Sequence, residues 1–110
     1  MTPQQIAQGQ LDAYNAQDLD AYMRFFTDDC VIADLNGAVT TDGAPAIRAR
    51  YEKAFAQFPH NKAHLMNRII VGGTVVDHED VVRAPGGERF EIIAIYTLRG
   101  DKISKVDFAK

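Results

Sequence analysis

Residues 44–59 read APAIRARYEKAFAQFP, and the chain from Lys62 onward shows no further helical period. In the quoted stretch Ile47, Tyr51, Ala54, Phe55 and Phe58 share one face at helical spacing, the clearest periodic signal in the sequence. Asp42-Gly43 and Pro45 mark the start of this helix, and Pro59, which cannot continue one, ends it. The segments beyond read as strands. Gly72-Gly73 joins residues 62–71 to 74–83, Pro85-Gly86-Gly87 makes the next turn, and Arg99-Gly100-Asp101 precedes a last strand over 102–108.

Upstream, Thr2 is placed as a helix N-cap with Pro3 in the first turn, where its missing N–H costs nothing. Ile6, Gln10, Ala13 and Tyr14 then share a face, edged by Ala7 and Leu11. Asp18 caps a second, short helix with the stripe Leu19, Tyr22, Met23 and Phe26, closed by Thr27-Asp28-Asp29. Residues 30–35 form a strand, and Asn36-Gly37 turns it into a partner over 38–41. Three helices followed by a curved, mainly antiparallel sheet make an α+β domain over residues 1–110, with helices on one sheet face and room for a pocket between.

The chain's 110 residues suit one domain, and 46% apolar with 25% charged residues is ordinary for a globular fold. No apolar run approaches the roughly 20 residues of a membrane span. The start, Met1-Thr2-Pro3-Gln4-Gln5, carries no leader pattern, and Cys30 is the only cysteine, so a reduced, cytoplasmic protein without disulfides is expected. A net charge of −3 without a basic stripe argues against nucleic acid as partner.

The stretch Tyr14-Asn15-Ala16-Gln17-Asp18-Leu19-Asp20-Ala21-Tyr22, followed by Phe26-Thr27-Asp28-Asp29-Cys30-Val31, resembles the opening of NTF2-like domains, which include ketosteroid isomerases and SnoaL-like polyketide cyclases. Gly43-Ala44-Pro45-Ala46-Ile47-Arg48 resembles that superfamily's entry to its third helix, and Arg99-Gly100-Asp101-Lys102-Ile103 its final hairpin. The resemblance implies a cone-shaped, cystatin-like fold and says little of function, since the same scaffold serves isomerases, cyclases, dehydratases and non-catalytic binders.

Asp34 heads the candidate residues. It ends a period-two row with Cys30 and Ile32, where burial would raise its pKa and fit it for proton abstraction. The resemblance places it at the catalytic aspartate of ketosteroid isomerases; the alternative is a solvated aspartate beside the Asn36-Gly37 turn. The isomerases' oxyanion-binding tyrosine and protonated aspartate fall on Gln10 and about Ala94, with Tyr14 one turn beyond Gln10. An efficient steroid isomerase is therefore not expected, because each missing donor costs on the order of 10²–10³ in rate.

In the hairpin turning at Gly72-Gly73, Arg68 faces Asp77 as an ion pair, Asn67 faces His78 and Met66 faces Glu79. Asn67 and His78 are either a self-satisfied structural pair or ligand-orienting groups, with Tyr14 and Tyr51 offering polar tips to a cavity wall. His60 and His64, and the run Asp77–Asp80, lack convergent ligand spacing, so neither a metal nor a cofactor is expected. Cys30 reads as an inert core thiol. Two functions remain: acid–base chemistry, of isomerase, lyase or cyclase type, on a small apolar or carbonyl-containing molecule, with Asp34 as base; or a binding or dimerisation module without turnover. Ile93 and Ile95, opposite the helix-covered face, point to a homodimer through the outer sheet face.

Overall fold

A computed structural model describes residues 1–110 as α1 (Pro3–Ala16), α2 (Leu19–Met23), β1 (Phe26–Asp34), β2 (Val39–Asp42), α3 (Ala44–Gln57), β3 (Lys62–Val71), β4 (Thr74–Val82), β5 (Arg89–Arg99) and β6 (Lys102–Ala109). The six strands form one open sheet in the order β2-β1-β6-β5-β4-β3. Every neighbouring pair is antiparallel except β1 with β6. The three helices pack against one face of this sheet, the α+β arrangement expected from the sequence.

The helix starts follow from their caps. Thr2 Oγ1 accepts the Gln5 N–H at 3.1 Å, and the Gln5 side chain accepts the Thr2 N–H at 2.9 Å, a reciprocal capping box. Asp18 accepts the Ala21 N–H at 3.1 Å to start α2. Ile6 from α1, Ile47 from α3 and Ile32, Val75, Ile103 and Val106 from the sheet meet in the core with almost no exposed surface. Burying each such side chain contributes about 1.5–3 kcal/mol.

Two local expectations are corrected. Residues 26–29 do not finish α2 but begin β1, because Phe26 pairs with Ile103 of distant β6 and is buried. Long-range pairing overrides the local helical stripe there. In the β3–β4 hairpin Arg68 faces Asp77 and Asn67 faces His78 as expected, but Leu65, not Met66, faces Glu79. The register slips between Leu65 and Asn67, so Met66 is the extra residue of a bulge. Gly72, at φ 56°, supplies the left-handed conformation the hairpin turn requires. No helix is long and apolar enough to cross a membrane.

Candidate functional site

A cavity of about 1290 Å³ lies between the helices and the inner face of the sheet and opens to solvent. Seven of its 25 lining residues are aromatic. Gln10 and Tyr14 come from α1, Tyr51 from α3, and Glu79 and Tyr96 from adjacent strands β4 and β5. The Tyr22 and Tyr51 ring centroids stand 4.8 Å apart, with Tyr14 6.1 Å from Tyr51, so these rings fix one another's positions.

Two carboxyl groups share the inner face of β4. Asp77 is fully buried and held by Arg68 through two parallel bonds, Nε to Oδ1 at 2.7 Å and Nη2 to Oδ2 at 2.9 Å. Arg68 also donates to Gln4 and Gln8 of α1, at 3.1 Å each, tying sheet to helix. Glu79 is 6% exposed, lines the cavity, and its Oε2 has no hydrogen-bond partner. Burial, and then the negative charge of Asp77, push the Glu79 carboxyl up to about 7, with Arg68 partly opposing. A group that exchanges its proton near neutrality is thus aimed into an aromatic pocket.

Two tyrosine hydroxyls line the same cavity. Asn61 Nδ2 donates to Tyr14 Oη at 2.6 Å, which leaves the Tyr14 hydrogen free. Burial pushes the Tyr14 hydroxyl up to about 12, so it stays protonated at neutral pH. Gln10 Nε2 donates to Tyr96 Oη at 3.0 Å, which likewise leaves the Tyr96 hydrogen free. Both tyrosines feel the charge of Glu79.

Of the residues singled out from sequence, Tyr14, Tyr51 and Asp34 line this cavity. Asp34, however, ends β1 in an exposed position and lacks the desolvation expected for it. Three strand spacings separate β1 from β4 in the sheet, about 14 Å at ~4.8 Å each, so Asp34 and Glu79 do not form a dyad. Asn67 and His78 are not brought to the cavity. Alternation along β4 turns Glu79 inward and its neighbour His78 outward. There Asn67 Nδ2 meets His78 Nδ1 at 3.1 Å, and His78 Nε2 meets Glu91 at 2.7 Å. These contacts satisfy the pair on the outer face. Cys30 is fully buried, and desolvation pushes its thiol up to about 12, far from a reactive thiolate.

Glu79 escaped the sequence reading, although a signal existed. Val75, Asp77, Glu79 and Val81 alternate on one face, so two acids stand inside an apolar row. Only the helices packed over that row reveal it as the inner one.

Comparison with known proteins fits this geometry. The SnoaL-like domain family matches residues 7–106. An uncharacterised cystatin-fold protein from Novosphingobium aromaticivorans superposes with a TM-score of 0.93 at 36% identity, covering 100% of this chain and 99% of that one. A candidate polyketide cyclase from Sinorhizobium meliloti gives 0.81 at 21% identity, covering 99% and 100%. A protein of ketosteroid isomerase-like fold from Catenulispora acidiphila, solved with trimethylamine, gives 0.79 at 16% identity, covering 96% and 84%. The search of curated proteins found no match. With its cone of three helices on a six-stranded sheet and a family match over nearly its whole length, the chain belongs to the SnoaL-like domain family of the NTF2-like fold.

Proposed function

We propose that this domain binds a small, largely apolar molecule bearing a carbonyl group and moves a proton on it, with Glu79 as the acid–base group. The supporting observation is the buried, cavity-lining Glu79 whose Oε2 has no partner in the protein. In this reading the Glu79 carboxylate takes a proton from the carbon next to the carbonyl. The electron pair moves to the carbonyl oxygen, where the free Tyr14 hydrogen bonds it, and Glu79 returns the proton at another position. Tyr51 and Tyr22 hold the apolar body. Asp34, placed by family resemblance as the base, is less suited because it stands exposed at the end of β1, away from the buried wall that carries Glu79.

The domain is further proposed to work as a homodimer through the outer sheet face, leaving the cavity of each protomer free. Incubation with 2-acetonaphthone in D₂O tests the chemistry. Deuterium should enter the methyl group faster than in buffer, and Glu79→Gln should abolish the excess. Exchange no faster than buffer, with the ketone shown to bind, would instead support a binding module without turnover.

A further inference from the structure

Arg83 follows β4 and lines the cavity, and it differs from four of the chain's other arginines in holding no carboxylate. Its guanidinium carbon lies 4.3 Å from the Phe58 ring centroid and 4.9 Å from that of Phe90. Nη1 donates to Asn61 Oδ1 at 3.1 Å. None of the chain's salt bridges involves Arg83, whereas Arg48, Arg68, Arg89 and Arg99 each hold a carboxylate. Cavity-lining Arg50 is likewise without a carboxylate, but its rings, Tyr51 at 5.4 Å and Phe108 at 5.7 Å, stand farther off, and no second cation shares them. The ammonium of Lys110, also without a carboxylate partner, sits 4.5 Å from the same Phe90 ring. Two cations therefore converge on one cavity-lining ring in a chain that is acidic overall.

Aromatic rings and one amide hold this half-buried guanidinium in place, while most of its five N–H donors remain unused. A planar fork fixed in advance matches a carboxylate, and little ordering cost remains for a ligand to meet. The same Asn61 that receives Arg83 donates to Tyr14, so a single side chain fixes the spacing between the cation and the hydroxyl that faces the cavity.

We infer that Arg83, assisted by Lys110, is a specificity-determining residue that selects ligands carrying a carboxylate on an apolar body. This rests on the proposed binding of a carbonyl-bearing apolar molecule and narrows it to keto acids or related organic acids. The carboxylate lies at the rim between Arg83 and Lys110, and the apolar part runs inward past Phe58 and Phe90. The acids facing the same cavity are Asp34, Asp42 and Glu79. Asp34 and Asp42 come from β1 and β2, three and four strand spacings from β4, whereas Glu79 stands on β4 four residues before Arg83.

Calorimetric titration at pH 7.5 with 2-naphthoate and with neutral 2-acetonaphthone tests the inference. The carboxylate should bind about tenfold more tightly, and Arg83→Gln should remove most of that preference. Lys110→Gln, at an exposed position, should lower the preference severalfold and provides the test should Arg83→Gln fail to fold. Equal binding of the two probes, or a preference unchanged by both variants, overturns the selection of carboxylates while leaving the apolar site standing. Failure of both probes to bind overturns the selection and the underlying reading together.

Discussion

Asp77 and Glu79 stand two residues apart on the inner face of β4, both buried, yet only Asp77 has a cation against it. Arg68 spends its two-pronged contact on Asp77 and leaves Glu79 to face the cavity with an unpartnered oxygen. The asymmetry divides structural from chemical duty. Asp77 fixes the sheet to α1 through Arg68, and its negative charge helps raise the proton affinity of its neighbour.

Stability should therefore fall with pH through the titration of Glu79. Its carboxyl rises from 4.5 in the open chain to about 7 in the fold. The contribution is fully favourable below pH 4.5, declines as pH climbs, and is lost above about 7. At pH 8 the buried charge costs on the order of 3 kcal/mol. Glu79→Gln should accordingly raise Tm at pH 8 and change it little at pH 4. Thermal melts across this range check it, and an equal effect at both pH values would refute the assignment.

Arg68→Ala should be among the most damaging single changes. It strands the Asp77 carboxylate in the core and cuts the link to Gln4 and Gln8. Removing one partner of a buried pair costs about 3–5 kcal/mol, a large share of a small domain's stability. Replacing both residues, Arg68→Met with Asp77→Leu, should recover much of that loss, as read in urea unfolding.

Proton exchange catalysed by the domain should rise with pH through about 7, following ionisation of Glu79. Asp34→Asn should leave both the midpoint and most of the rate, since Asp34 is exposed and three strands removed. Loss of exchange in Asp34→Asn, with Glu79→Gln unaffected, would return the base role to Asp34.

Thr2, Asp18, Pro45 and Gly72-Gly73 act through neighbours a few residues away, so the helix starts were legible, and so was the hairpin register from the turn back to Asn67, beyond which the Met66 bulge shifts it. The parallel pairing of β1 with β6 joins segments some 75 residues apart, and nothing local announced that Phe26 opens a strand. The site divided along the same line. Tyr14 and Tyr51 followed from helical faces, whereas Glu79 and His78 differ only in which sheet face the helices cover. Alternation gave the two faces but not their orientation. Arg83 had no sequence signal at all, because its meaning lies in Phe58, Phe90 and Asn61 arriving from separate elements.

The outer sheet face should join two copies of the chain. Ile69, Val76 and Ile95 pair in one cross-strand row, and Ile93 lies in the next row beside His78. Ile69 is 62% exposed and Ile93 39%, a concentration of aliphatic surface that the helices, on the other face, cannot cover. At about 25 cal/mol per Å², hiding several such side chains across a two-fold axis contributes several kcal/mol before the costs of association. A symmetric pairing sets like against like, so one substitution acts twice in the dimer. Ile93→Glu or Ile95→Glu should therefore put two unpaired carboxylates into the interface and shift the protein to monomer, with its cavity and helices intact. Sedimentation velocity at micromolar concentration should give a dimer for the native chain and a monomer for either variant. A native chain that sediments as a monomer would sink the pairing.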